Sequence, residues 1–442
     1  MTKCANSMRS YFILLLLFGV CWCRHTSKSQ DYYQPEQVHI SFGDKPNTIV
    51  VTWSTFNETD SIVKYGIKGL DQRASGTSTI FIDGGDMKRP QFIHRAAMKD
   101  LKFNTRYVYR VGSDNSWSKQ FSFKTPPAGE DWVVRIAIYG DMGLNDSKSL
   151  PFLKKDVSQD KYDLILHVGD FAYDMNEQEG RVGDDFMNMI EPIAASVPYM
   201  TCPGNHEQKY NFSHYSSRFT MPGRDANLFY SFDVGPVHFV SVSTEVYYFT
   251  EYGLKLIANQ YEWLREDLEM ANRPANRNKH PWIVLFGHRP MYCSNSDDID
   301  CSMEYTRTGF LGLFPLEPLL NEFGVDLVIW AHEHSYERTW PLYDYRVYNG
   351  SYQHPYHNPR APIHIVTGSA GCREGTDNFH KKVQPWSAFR SKDYGYTRFE
   401  AHNHTHIYME QVVVEHVPRT RNGDVIDSFW IVKDRHEPYG LK

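Results

Sequence analysis

Residues 161–174, KYDLILHVGDFAYD, place three ligand-type residues at the carboxyl end of an apolar run. Leu164, Ile165, Leu166 and Val168 are almost continuously apolar and are bounded by Gly169. A short strand buried on both faces of a parallel sheet reads this way, so the stretch predicts a central strand. Ligands of open α/β sheets collect beyond the carboxyl ends of the strands, where Asp170 falls. Tyr173 follows three residues later, and a helical turn there points its phenol the same way as the Asp170 carboxylate.

Outward from this stretch, strands and helices alternate. Strands are predicted over 134–139, 197–201, 282–286 and 325–330. Helices are predicted over 150–157, 258–271 (ending before Pro274) and 318–323. This is an α/β pattern, a mixed or parallel sheet covered by helices. After Ile363 the pattern returns to β through about Val414, and the tail from Asp424 shows none. Residues 35–123 read as all-β: Ile49, Val51 and Trp53 alternate with other residues, as do Tyr107, Tyr109 and Val111, then Phe121 and Phe123. That predicts a sandwich of the immunoglobulin or fibronectin III kind, without ligand clusters and suited to support or docking. KTPPAGED, 124–131, is a linker because its two prolines exclude helix and sheet. The second domain then runs over 132–442.

The chain has 442 residues, 41% hydrophobic and 23% charged, with a formal net charge of −6. It can bury a large core in two domains. Without basic runs it has no electrostatic footprint for nucleic acid or an anionic membrane. Lys3 and Arg9 precede an apolar run over 11–20, the layout of a secretory signal peptide over 1–23, too short to span a bilayer. With no later spanning segment, a secreted, extracellular or lysosomal product without stable membrane insertion is expected. Three of the seven cysteines leave with that signal, and an even number remains. In an oxidising compartment this suggests two disulfides: Cys293 with Cys301, close in sequence, and Cys202 with Cys372 by elimination. Asn57, Asn145, Asn211, Asn349 and Asn403 each begin a glycosylation sequon.

Every strand of the second domain ends in metal-binding residue types. Tyr139 runs into Gly140, Asp141, Met142 and Gly143; the opening strand into Asp170 and Tyr173; Thr201 into Gly204, Asn205, His206 and Glu207; Phe286 into Gly287 and His288; Trp330 into His332, Glu333 and His334. Singly these are weak signals among 20 histidines, but five such clusters at strand ends are not accidental. Asp141, Asp170, Tyr173, Asn205, His288, His332 and His334 are too many ligands for one ion and suit two. If a carboxylate bridges, the ions sit roughly 3.5–4 Å apart, the arrangement used for displacement at phosphorus.

The blocks GDMG, GDFAY, GNHE, FGH and AHEH, in this order, resemble the signature of the purple acid phosphatases within the metallophosphoesterases. The resemblance covers most of the chain and extends to the long animal form, which also carries a fibronectin-like domain first. Tyr173 is its most specific residue, because a phenolate favours ferric iron. The resemblance implies layers ordered α/β/β/α and a family-specific C-terminal region over about 361–420. It implies Fe(III) on Asp141, Tyr173 and His334, with Asp170 bridging. Asn205, His288 and His332 then hold Fe(II), Zn(II) or Mn(II), whose nitrogen-rich site suits a divalent ion. Asp170 and His206 are the catalytic pair it implies, with His206 protonating the leaving oxygen. Asn205 and His206 face substrate, and Arg289 is a candidate phosphate clamp or else a salt-bridged arginine.

Two departures stand out. Ala331 replaces a glycine before the first histidine of the last block, and Asp297 and Asp298 stand where the plant enzymes carry a histidine pair. The expected activity is phosphate monoester hydrolysis, with the metals lowering the pKa of water to give a hydroxide nucleophile. A diesterase or nucleotidase on the same ions, an inactive extracellular binding protein and an iron carrier are the alternatives.

Overall fold

In the computed structural model residues 32–223, 227–296, 300–415 and 423–440 are described. The expected leader over 1–23 and the Asp297–Asp298 pair lie outside them.

Alternating apolar residues fold the first part of the chain into two four-stranded sheets. One is ordered β1 (Glu36–Phe42), β2 (Ile49–Thr55), β6 (Pro90–Met98), β5 (Thr77–Ile82); the other is ordered β4 (Gln72–Ser75), β3 (Ile62–Gly66), β7 (Arg106–Gly112), β8 (Phe121–Lys124). Val38, Ile40, Val51, Trp53, Val63, Tyr109 and Phe123 fill the space between them.

Two larger sheets follow. The six-stranded one is ordered β11 (Tyr199–Cys202), β10 (Leu164–Val168), β9 (Val134–Tyr139), β21 (Tyr394–Asn403), β22 (His406–Glu415), β23 (Val425–Val432). The seven-stranded one is ordered β12 (Tyr230–Val234), β13 (Val237–Ser241), β14 (Trp282–Phe286), β15 (Leu327–Trp330), β19 (Ile363–Thr367), β16 (Tyr336–Thr339), β20 (Ser387–Ser391). β17 (Leu342–Tyr343) and β18 (Arg346–Val347) make a small hairpin. The helices are α1 (Leu150–Ser158), α2 (Glu177–Ala194), α3 (Lys209–Arg218), α4 (Lys255–Ala271), the short α5 (Pro274–Arg277) and α6 (Tyr305–Thr308), and α7 (Leu316–Glu322).

The layering follows from the two-residue strand period. Val284, Phe286, Leu327 and Ile329 face inward and join Ile136, Ile138, Phe399 and Met409 of the other sheet. Their chain neighbours Ile283, Leu285, Val328 and Trp330 pack on Ile257, Leu264, Leu268, Leu316 and Leu320 from α4 and α7. On the opposite side α1 bonds to the six-stranded sheet, with Tyr396 Oη donating to Asp156 at 2.7 Å. Phe186 of α2 approaches the His167 ring of β10 at 6.1 Å. These are the expected α/β/β/α layers, with β10 inside its sheet between parallel β9 and β11.

Three expectations are corrected. The tail after Asp424 is not patternless: β23 pairs antiparallel with β22 as an edge strand, exposing alternate residues. β12, β13 and α2 were not anticipated, although Val182, Phe186, Ile190 and Ile193 of α2 are buried at helical spacing. Cys293 and Cys301 are bonded with Cα atoms 5.2 Å apart, but Cys202 and Cys372 are both free and buried. Cys202 ends β11 in the sheet, and Cys372 lies against His334; an even cysteine count carries no distance information.

The sandwich docks on α2 and the end of α3. Backbone N–H groups of Gln37 and Val38, at a bulge in β1, donate to Asn188 and Glu191 at 3.1 Å each. Arg218 donates to Asp184 at 2.8 Å and to Gln37 at 3.1 Å, and Arg89 pairs with the same Asp184.

Candidate metal centre

The loops after β9, β10, β11, β14 and β15 converge, bringing all seven predicted ligands to the strand ends. Asp141, Asp170, Tyr173 and His332 have φ of 59°, 52°, 57° and 71°. Non-glycine residues seldom adopt this left-handed region, and such strain concentrates at functional sites. The backbone turns back sharply there, so short side chains reach inward.

The ligands form two groups. In the first, Tyr173 Oη lies 2.7 Å from His334 Nε2 and 3.2 Å from Asp141 Oδ1, and His334 Nε2 is 3.5 Å from the same carboxylate oxygen. In the second, His288 Nε2 is 3.1 Å from Asn205 Oδ1 and 3.2 Å from Asp170 Oδ2. Ligand atoms of Asp170, His288 and His332 lie within 4.8 Å of one another. His288 Nδ1 donates to the Val168 carbonyl at 2.8 Å, which directs Nε2 to the cluster. His332 N–H donates to Asp141 at 3.0 Å, coupling the last block to the first.

The donor set fits cations. Asp141, Asp170, Tyr173 and His288 are fully or nearly fully buried, and among the described residues neither carboxylate pairs with Lys or Arg. Buried charge of this kind needs compensation. Lone pairs of oxygen and imidazole nitrogen face one another, which is favourable only around a proton or a metal ion. The titration of the side chains says the same. Burial lowers His288 and His206, but the surrounding carboxylates together, Asp170 foremost, outweigh it and raise them to about 10 and about 9. Burial raises Asp141, and it pushes the Tyr173 phenol well above its usual range, with Asp141 and Asp170 adding to the effect. A phenolate at Tyr173 therefore requires a strongly charged cation beside it.

His206 sits apart from the ligands and over them. Its ring packs tilted against Tyr173, centroids 4.4 Å apart, and its main-chain N–H donates to Asp170 Oδ1 at 3.0 Å. Nδ1 donates to Asp174 at 3.0 Å, leaving Nε2 3.9 Å from both Asp170 and Glu374. Arg289 is salt-bridged: Nε donates to buried Glu245 at 3.0 Å, Nη1 lies 2.9 Å from His332, and the guanidinium covers the Tyr248 ring at 4.5 Å. Of the sequons, Asn145, Asn211 and Asn403 are exposed, while Asn57 and Asn349 are half-buried.

Sequence reasoning passed over several supporting residues. Glu207 accepts N–H bonds from Gly204 and Asp170 at 2.9 Å and from Phe171 at 3.1 Å, latching two ligand loops together. Burial and the Asp170 charge raise its pKa to about 8. Its signal was the three-residue spacing from Gly204, that of a carboxylate capping a tight turn. Asp174 was legible only as part of the opening stretch. Glu245 and Cys372 had no local signal, because the fold alone brings them near.

Residues 134–336 match the calcineurin-like phosphoesterase family, which makes this chain a metallophosphoesterase. Residues 35–125 match the purple acid phosphatase N-terminal domain, and residues 361–428 the iron/zinc purple acid phosphatase-like protein C. The chain belongs to the purple acid phosphatases, in their animal form, and is an acid phosphatase. It is 52% identical over 415 residues to acid phosphatase type 7 of Danio rerio, covering 92% of this chain and 93% of that protein. It is 48% identical to acid phosphatase type 7 of Homo sapiens, covering 96% of each. A purple acid phosphatase from yellow lupin seeds superposes with a TM-score of 0.76 at 26% identity, covering 91% of this chain and 75% of that one. Membership implies a dinuclear metal centre. Among the described residues no helix is long and apolar enough to cross a membrane.

Proposed function

We propose that this chain hydrolyses phosphate monoesters at an Fe(III)–M(II) centre, with Fe(II), Zn(II) or Mn(II) as the divalent partner, and that it works outside the cytosol. One observation carries the reading: the buried groups Asp141, Tyr173 and His334 close on one point, Asp170, Asn205, His288 and His332 on another, and neither buried carboxylate pairs with Lys or Arg among the described residues. The phenol and carboxylate suit a hard ferric ion, and the nitrogen-rich group suits a divalent one. When bound, the two ions supply Lewis acidity toward the phosphoryl oxygens and lower the pKa of water.

The side chains do the rest. Asp170, 3.2 Å from His288, would be the carboxylate shared by both ions. Asn205 presents its amide at the open edge. Asp174 fixes the His206 tautomer and stabilises its protonated form, so that Nε2–H is held as the acid for the leaving oxygen. Glu207 keeps the Asp170 and Asn205 loops in register. The leader over 1–23, the Cys293–Cys301 bond and the exposed sequons support passage through an oxidising, secretory compartment.

The test joins metal analysis to a visible spectrum. Purified protein is expected to hold two ions per chain, at least one of them iron, and to be purple or pink from phenolate-to-iron charge transfer. Tyr173→Phe bleaches it while far-UV circular dichroism is kept. Monoesters turn over faster than diesters. A colourless iron-loaded protein, or a preference for diesters, overturns the reading.

A further inference from the structure

α2 and α3 each contain a left-handed turn near the start. Gln178, Glu179 and Gly180 have φ of 53°, 58° and 77°, and Tyr210, Asn211 and Phe212 have φ of 56°, 56° and 59°. Residues other than glycine seldom enter this region, and then singly. Three in a row persist only where the surroundings hold them. The two turns are also matched in place: the first begins four residues after Asp174 and the second four residues after His206, the two side chains joined at 3.0 Å. Short backbone bonds link each turn to that pair. Glu177 N–H donates to the Asp174 carbonyl at 3.0 Å and Gly180 N–H to Asn176 at 3.2 Å, while Gln208 N–H donates to Asn205 at 3.3 Å and Phe212 N–H to Gln208 at 3.1 Å.

One loop of the sandwich, residues 83–89 between β5 and β6, holds both turns. Toward α2, Met87 N–H donates to Glu179 Oε2 at 3.0 Å and Arg89 Nε to the Glu179 carbonyl at 2.8 Å. A Cβ on Gly180 would come within 3.2 Å of Asp83 Oδ1, so that turn lies directly on the loop. Toward α3, His214 Nε2–H donates to Asp83 Oδ1 at 2.8 Å with both side chains buried, and a Cβ on Gly84 would overlap the Tyr210 ring. Asp83 Oδ2 accepts the Gly85 N–H at 2.7 Å, which shapes the loop itself. We propose that this loop is a clamp on the Asp174–His206 pair, with Asp83 and Gly84 as positioning residues: it fixes the two left-handed turns, and each turn sets the path of the chain just before it. The sandwich thus supplies no group to the chemistry but holds the acid in place, where a displacement of about 1 Å can cost about 10²-fold. The inference rests on the acid role proposed for His206.

Asp83→Ala and Gly84→Ala, each in the full chain, test it beside His206→Ala. Asp83→Ala removes the link to His214. Gly84 has no positive φ, so alanine there is a wedge against Tyr210 without backbone strain. Both variants are expected to keep two ions per chain and the far-UV circular dichroism of wild type. Turnover of an alkyl phosphate falls about 10–100-fold, part of the roughly 10²–10⁴-fold that a general acid supplies, while 4-nitrophenyl phosphate, whose leaving group needs no proton, stays within about threefold. In the His206→Ala background neither change slows the alkyl phosphate further, because residues that act as a unit are not additive. Gln178→Gly relaxes the first turn and restores part of the Asp83→Ala loss. If Asp83→Ala does not fold, Gly84→Ala decides. Equal losses on the two substrates where His206→Ala separates them, losses that multiply in the double variants, or no loss at all overturn the proposal. If His206→Ala itself fails to separate the substrates, the acid role falls and the double variants judge the clamp alone: a shared loss upholds it, and multiplied losses reject it.

Discussion

The two halves of the centre are supported differently. On the His288 side the backbone does the holding: the Val168 carbonyl fixes the imidazole, and Glu207 ties the Asp170 and Gly204 backbones together. On the Tyr173 side, apart from the His332 N–H that donates to Asp141, the contacts run between side chains, Tyr173 to His334 to Asp141, with Cys372 behind. Backbone supports survive substitution of neighbouring side chains, whereas a side-chain lattice changes with each one. The tyrosine half is thus the tunable half of the centre.

If Asp170 bridges the two ions, as proposed, its replacement should erase the contrast. Asp170→Asn keeps the shape and removes the charge that balances both ions and favours a protonated His206. The expected outcome is loss of both ions on dialysis and turnover at background, read by metal analysis and a monoester assay. Two ions retained per chain would show that another group bridges.

His206 sharpens the comparison because it overlies both halves without belonging to either. His206→Ala should keep both ions and slow turnover about 10²–10⁴-fold, the usual worth of a general acid. The loss should be smaller for 4-nitrophenyl phosphate, whose leaving group departs without a proton, than for an alkyl phosphate. Equal losses would leave His206 as a phosphate-binding residue, and lost metal would make it a ligand.

The smallest effect is expected from the sandwich, which contributes none of the converging donors. Single substitutions of its exposed polar residues should leave kcat/KM for a small substrate within about a few-fold, as for most surface changes away from special features. A hundred-fold loss at any exposed position would end the division of labour between the two parts.

The site was legible because the five ligand blocks each follow a strand, four of them through a glycine, a pattern that local spacing carries. Layering was less so: the alternation in β23 exposes every other residue and resembles a polar tail, while β12 and β13 are short runs between helices. The Cys202–Cys372 pairing failed for a related reason. Counting fixes parity but not separation, and Cys372 owes its neighbour to packing of the first ligand loop against the chain beyond β19. Glu207 and Asp174 stood inside quoted motifs, yet their roles lie in bonds to backbone or to another loop, which residue type alone does not reveal.

The bulge in β1 bears on how the chain is made. β1 is an edge strand, and an uncovered edge is a template for pairing with other chains. Its cover comes from Asn188 and Glu191 of α2, which are synthesised well after the sandwich ends at Lys124. At ~5–20 residues per second, a ribosome leaves that edge bare for on the order of several seconds. The nascent sandwich is therefore most prone to misassociate in that interval, and the arrival of α2 closes it.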